Sequence, residues 1–158
     1  MRRKDREISD KEGLLAILQS CVVCRLGFAA AGRAYVVPLN FGYAWEENEP
    51  LRLYFHCARE GLKLDMLARN DLVCFEMDGE HKLLPGTEAC EYSFAYASII
   101  GWGKVSRLTQ AEEKRNALQK IMERQAGPGD YRFREASIEG VTILCLEAEE
   151  LTGKRHSG

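Results

Sequence analysis

Residues 51–70 change abruptly from the repeat of a β-strand to the repeat of an α-helix. The apolar residues of 51–56 alternate with polar or aromatic residues, which is the period of two expected of a strand with one buried face. From Gly61 to Asn70 the apolar residues instead recur at helical spacing. His56 therefore closes a predicted strand, and a predicted helix begins shortly after it.

The start of this predicted helix has features of an anion-binding site. A first helical turn leaves backbone N–H groups without partners and carries positive dipole. Lys63 adds a full positive charge there, and Gly61 would let a ligand approach the backbone closely. Most lysines in a first helical turn are simply solvated, however. These two residues alone therefore favour a solvated helix start over a phosphate site.

The rest of the sequence predicts a single domain, residues 1–158, rich in strands. A chain of 158 residues with 46% hydrophobic residues is long enough to bury one core. Two S/T-x-x-E patterns, at Ser9 and Thr109, predict capping boxes that start helices. Six strands fit a β-barrel, whereas residues 79–91 match neither repeat. The predicted strands are 22–29, 33–40, 51–56, 72–77, 97–105 and 141–146, and the predicted helices are 10–20, 61–70 and 109–125.

Charge and hydropathy exclude two broad classes of function. The net charge is -2 and the isoelectric point is near 6.0, whereas a general nucleic-acid binder normally has a concentrated basic face. No apolar run approaches the roughly 18 residues of a membrane span, and no apolar segment follows the basic start. We therefore expect a cytoplasmic protein that binds neither nucleic acid nor membrane.

The six cysteines raise the question of a metal or redox site. Cys21 and Cys24 form a C-x-x-C pair, but a structural zinc needs four ligands and the other cysteines offer no second close pair. The pair also lies at the start of a predicted strand, not at the helix start typical of thioredoxin-like motifs. We expect no metal site, and we expect Cys74 and Cys145 to be core residues.

Two further features predict irregular strands. Pro38 cannot donate to a central ladder, so it marks an edge strand or a bulge. Asn40 and Gly42 follow it, and either form a turn or offer hydrogen-bonding groups to a planar ligand. The glycines on both sides of Trp102 indicate a bulge or the close approach of such a ligand, and Trp102 itself is equally suited to a dimer interface.

Several motifs in order resemble one family. They are Y-V-V-P-L-N-F-G-Y, L-Y-F-H-C-A-R-E-G-L-K-L-D-M-L-A-R-N, C-F-E-M-D-G and S-I-I-G-W-G-K-V, together with the opening M-R-R-K-D-R-E-I-S-D and the closing L-T-G-K-R. They are similar to the nitroimidazole-resistance (Nim-type) branch of the pyridoxamine-phosphate-oxidase-like flavoproteins, over nearly the whole chain. The resemblance implies a mainly β (α+β) fold, a six-stranded FMN-binding split β-barrel with flanking helices. It also implies a homodimer with FMN at the subunit interface.

The resemblance also implies roles for individual residues. His56 lies near the flavin ring, and a direct chemical role for it as a proton donor stays open. Cys57 stands where the family often has serine, so its backbone N–H is a better phosphate donor than its thiol. The residues expected to bind FMN are Val37, Pro38, Leu39, Asn40, His56, Cys57, Gly61, Lys63, Gly101 and Trp102.

The implied activity is the reduction of a small molecule, such as a nitroimidazole or another nitroaromatic, by hydride transfer from reduced FMN. The fold does not fix this function, because related barrels bind FMN, haem or a deazaflavin. The alternatives are a flavin- or haem-binding storage or sensor protein without turnover, and a cofactor-free structural dimer. No G-x-G-x-x-G fingerprint is present, so NAD(P)H would bind transiently at the flavin or a partner reductase would supply electrons.

Overall fold

The computed structural model describes residues 3–158, which form one antiparallel sheet with four helices. The strands are β1 (Glu7–Ile8), β2 (Val23–Ala30), β3 (Arg33–Asn40), β4 (Gly42–Ala44), β5 (Arg52–Cys57), β6 (Leu72–Leu84), β7 (Ser93–Leu108) and β8 (Thr142–His156). The helices are α1 (Lys11–Ser20), α2 (Leu62–Leu67), α3 (Ala111–Ala126) and α4 (Glu135–Gly140).

The sheet curls back on itself without closing its hydrogen-bond ladder. Its strand order is β3-β2-β6-β7-β8-β5-β4, with β1 paired to β8. The two ends of this path, β3 and β4, are consecutive in the chain and are separated only by Phe41, which is fully buried. Since β4 pairs only with residues 52–54, the rest of β5 has a free edge in the described part of the chain. This is a split barrel.

The core fills the barrel, and two helices cover its opposite ends. Alternate residues of the strands point inward, including the fully buried Phe55 and Phe75. α1 covers one end with Ile17 and Leu18. α2 covers the other end with Leu64, Met66 and Leu67, beside the β2–β3 hairpin. The end covered by α2 is where the predicted anion-binding residues gather.

Most of the predicted elements are present, although their number was underestimated. All six predicted strands form, but there are eight strands in total, because β1 and β4 are too short to show a repeat. Residues 79–91 matched neither repeat in the sequence; β6 extends into them as far as Leu84, a short 3-10 helix spans Ala89–Glu91, and β7 begins at Ser93. The predicted edge position of Pro38 is confirmed, because β3 ends the strand order.

Two predicted details of the helices were wrong. Helix α1 is capped by the Asp10 carboxylate, which accepts a hydrogen bond from the Gly13 N–H (2.7 Å), and not by Ser9. At α3 the N-cap is Gln110, whose side chain makes no capping hydrogen bond, so the predicted capping box at Thr109 does not form. Neighbouring cap-forming residue types make such positions ambiguous by one residue in a sequence.

Candidate functional site

The end of β5 presents two predicted site residues on opposite faces of the sheet. Cys57 is buried on the core face, directly opposite Thr142 of β8. His56 is exposed on the outer face, opposite Ile143. Both residues lie beyond the end of β4, along the free edge of β5. A ligand at this edge would meet a histidine side chain, a thiol and unpaired backbone groups.

The start of α2 lies next, and it differs from the predicted helix. α2 spans six residues only, ending at Leu67 where the sequence pattern predicted Asn70. Gly61, with φ of 131°, accepts hydrogen bonds from the N–H groups of Leu64 (2.9 Å) and Asp65 (3.2 Å). The N–H groups of Leu62 and Lys63 precede this ladder and are left for another acceptor. Because so short a helix has little dipole, the Lys63 ammonium is the main positive charge here.

Arg107 is a third feature of this end that sequence reasoning did not identify. It is directly opposite Leu144 in the β7–β8 ladder, and Leu144 is directly opposite Phe55 in the β5–β8 ladder. Directly opposite residues share a face. Arg107 therefore lies on the core face at the mouth of the barrel, in the row next to Cys57 and Thr142. The sequence did contain an indication of this position. Gly103, Val105 and Arg107 occupy alternate positions of β7, so a positive charge falls on the face of the strand that is otherwise apolar.

Lys63 and Arg107 both act electrostatically on the Cys57 thiol. Burial raises the pKa of Cys57, while the charges of Lys63 and Arg107 act in the opposite direction. Within residues 3–158 neither Lys63 nor Arg107 forms an ion pair with a carboxylate. Two positive charges without an internal counter-ion therefore lie close to one thiol, at the end of the barrel that α2 covers.

The predicted residues of β3 divide between the two faces of the strand. Val37 and Leu39 are half-buried and pack against the core, whereas Pro38 and Asn40 face outward. The Asn40 side-chain amide donates to the Gln125 side chain of α3 (3.1 Å). Two residues after Asn40, at Gly42, the chain passes under α3.

Gly42 is buried beneath α3 and cannot face a planar ligand. A Cβ at Gly42 would overlap the backbone of Lys120 and Ile121. The glycine is therefore required by the packing of a helix directly on a strand. The sequence left a turn and a ligand contact open for Gly42; the structure instead places it in β4, where packing against α3 accounts for the glycine.

The two glycines beside Trp102 are also explained within the chain. A Cβ at Gly101 would lie 2.5 Å from Phe75 Cζ, and one at Gly103 would lie 2.8 Å from Leu146 Cδ2. The β7–β8 register shifts between Trp102 and Gly103, so a bulge is present. Both glycines thus point into the core, and their small size serves its packing.

Trp102 lies on the outer face of the sheet, away from the β5 edge. It is 42% exposed, and β8 separates its strand from β5. Within one chain the structure therefore brings His56, Cys57, Gly61 and Lys63 to one end of the barrel but leaves Trp102 apart from them.

The cysteines serve mainly as packing residues. Cys21 and Cys24 are fully buried, and burial raises the pKa of both thiols. Cys74 and Cys145 were expected in the core but are half-buried on the outer face. The prediction for Cys74 and Cys145 was wrong because both lie in mainly apolar strands. Side chains alternate between the two faces along each strand, and both cysteines fall on the outer face.

Comparison with known proteins identifies the family of the chain. Residues 10–155 match the sequence profile described as pyridoxamine 5'-phosphate oxidase. The chain belongs to the pyridoxamine 5'-phosphate oxidase-like family. This assignment covers almost all of the described residues, including β5, α2 and the end of β7.

Solved structures of similar proteins extend the comparison. A candidate 5-nitroimidazole antibiotic resistance protein from Bacteroides thetaiotaomicron is 35% identical, with a TM-score of 0.80, over 94% of this family member and 86% of that chain. A flavocytochrome from Azotobacter vinelandii is 19% identical (TM-score 0.81, covering 100% of this chain and 72% of that one). An FAD- and haem-binding protein from Mycobacterium smegmatis is 17% identical (TM-score 0.80, covering 97% and 74%). The last two show the fold alone.

Two further findings concern curated proteins and membrane-spanning helices. No curated protein matches the chain at a significant level. Among residues 3–158, no helix combines the length and the apolar character needed to cross a membrane.

Proposed function

We propose that this protein is a cytoplasmic, homodimeric FMN-dependent reductase of small nitroaromatic compounds such as nitroimidazoles. The observation that carries the proposal is the grouping of Lys63, Cys57 and His56 at the free edge of β5. Membership of the pyridoxamine 5'-phosphate oxidase-like family and the similarity to the Bacteroides protein support the choice of flavin and of substrate class.

The residues at the α2 end fit the phosphate of FMN. A phosphate needs hydrogen-bond donors and positive charge, and this end offers two N–H groups outside the helical ladder together with the Lys63 ammonium. Gly61 has no side chain to obstruct the approach: even a Cβ there would meet nothing within 4 Å. The Lys63 ammonium, the backbone N–H groups of Leu62 and Lys63 and the backbone N–H of Cys57 would therefore hold the phosphate, with Gly61 leaving the approach open.

The ring of FMN would extend from the phosphate towards β3. The free edge of β5 ends at His56 and Cys57, and the β3 segment from Val37 to Asn40 forms the other edge of the split. Pro38 cannot donate to a further strand, so this edge stays open for a ligand. The proposed contacts of the ring are the outward groups of Pro38 and Asn40, with His56 at the side.

The site would be completed by a second copy of the chain. The outer face of the sheet exposes Val36 (60%), Ile100 (42%) and Trp102 (42%) in neighbouring rows. Aromatic residues on such faces are frequent interface anchors. A homodimer formed through this face would let the partner's Trp102 cover the flavin, which accounts for its distance from His56 in one chain.

FMN, when bound and reduced, would supply a hydride, which together with one proton would convert a nitro group into a nitroso group and release water. The imidazole N–H of His56 is exposed on the outer face and would donate that proton to a nitro oxygen. NAD(P)H or a partner reductase would supply the electrons.

A flavin- or haem-binding carrier without turnover is the second candidate. The names of two proteins with this fold favour it as the alternative, because the Azotobacter protein is called a flavocytochrome and the Mycobacterium protein an FAD- and haem-binding protein. Purification of the protein and spectroscopy of its extracted cofactor separate the two candidates. A yellow protein that releases FMN supports the reductase, and a haem Soret band supports the carrier. A colourless protein that rejects added FMN contradicts both.

A further inference from the structure

We propose that Arg107 makes the site selective for a flavin that ends in a phosphomonoester, so that FMN is bound in preference to FAD and riboflavin. The inference rests on the proposed flavin site, and it assigns a role to a residue outside the family motifs of the sequence. It follows from the position of Arg107, from its lack of an internal partner and from the charge of the ligand.

The position is fixed by the strand register. Phe55, Leu144 and Arg107 occupy one row across β5, β8 and β7, and Cys57 and Thr142 occupy the next row on the same face. Phe55 and Leu144 are fully buried, so the row runs out of the core to the mouth of the barrel. Arg107 at this mouth is near enough to Cys57 for its positive charge to oppose the burial that raises the pKa of that thiol.

The charge of this end has no counterpart inside the protein. The other core-face positions of β7 near Arg107 are Val105 and Gly103, as expected for a buried strand face. Arg107 itself is exposed at the mouth of the barrel, so its guanidinium is accessible to a ligand. Of the residues that the structure describes, no carboxylate pairs with Arg107 or with Lys63. An anionic ligand between them would supply the missing negative charge.

The two cations, Lys63 and Arg107, match a phosphate group with two negative charges better than a phosphate group with one. A phosphomonoester carries about -1.5 to -2 charges at pH 7. In FAD the two negative charges of the diphosphate are divided between two phosphates, so the phosphate next to the ribityl chain carries only one, and riboflavin has no phosphate at all. Two cations therefore favour FMN over FAD, and they contribute nothing to riboflavin.

The test is a fluorescence titration of the flavin-free protein with FMN, FAD and riboflavin. Loss of one charged hydrogen bond predicts that Arg107→Gln weakens FMN binding by about 10- to 100-fold. FAD should lose less affinity and riboflavin none, so the preference for FMN over FAD shrinks. Arg107→Lys, which keeps the charge, should retain more of the FMN affinity than Arg107→Gln.

Lys104→Gln is the matched control. Lys104 lies on the same strand but on the outer face, where it pairs with Glu149 (3.4 Å), so its loss should leave all three affinities unchanged. Equal FMN binding by wild type and Arg107→Gln would overturn the role of Arg107 while leaving the flavin site intact. An equal loss for FMN, FAD and riboflavin would overturn it as well, because it indicates a structural role. A wild type that binds no flavin would overturn the proposed function itself.

Discussion

At the residue scale, the alternation of side chains along β5 places two neighbouring site residues on opposite faces of the sheet. His56 and Cys57 are neighbours in sequence, yet the first faces outward and the second faces the core. The sequence predicted the end of this strand and its contact with a helix start. The alternation with Val105 marked the face on which Arg107 lies, but its place in the row next to Cys57 depends on a strand register that a single sequence does not specify.

Lys63 provides the residue-scale prediction. Lys63→Ala should weaken FMN binding, because it removes a charged contact worth about 1.5–3 kcal/mol. Lys63→Glu should weaken FMN binding further, because it also adds repulsion. Riboflavin should be nearly indifferent to both changes. Flavin fluorescence titrations measure all of these affinities. Unchanged FMN affinity in Lys63→Glu would remove the proposed phosphate site.

At the element scale, packing decides what local patterns leave open. Gly42 looked like an exposed residue after Pro38, but α3 crosses β4 so closely that no Cβ fits. Nothing in a short segment indicates that a helix some eighty residues later will cover it. β4 and α4 were missed for a related reason: elements this short are held by tertiary contacts and show no clear repeat of their own.

The close contact between α3 and β4 yields a stability prediction. Gly42→Ala should lower the free energy of unfolding by about 1–3 kcal/mol, because the added methyl group overlaps the backbone of α3. Gly140→Ala is the control, since a Cβ there meets nothing within 4 Å. It should change stability by less than about 0.5 kcal/mol. Chemical denaturation gives both values, and equal stabilities for the two variants would refute this account of Gly42.

At the scale of the whole molecule, one chain provides only part of the proposed site. The split between β3 and β5 and the cations at the α2 end belong to one barrel, whereas Trp102 lies on the outer face of the sheet. The family fold was predictable from motifs spread along the chain. The separation of Trp102 from His56 was not, because it depends on the strand order.

The proposed dimer can be tested through this outer face. Trp102→Glu should convert the dimer into a monomer, because it places a charge in the centre of an apolar interface. Leu83→Glu changes an exposed leucine (54%) near the far end of β6 and should leave the dimer intact. Sedimentation with and without FMN measures both. A wild-type monomer that still binds FMN tightly would contradict the proposed assembly.

The central claim is that the protein reduces nitro compounds and does not merely carry a flavin. Anaerobic stopped-flow mixing of the prereduced protein with a nitroaromatic tests it directly, because no electron donor is needed. We predict that wild type is reoxidised well above the rate of free reduced FMN. We also predict that His56→Gln keeps its flavin but reacts about 10²–10⁴-fold more slowly. Equal rates for both proteins, well above free flavin, would remove only the role of His56. A wild type no faster than free reduced FMN would contradict the claim.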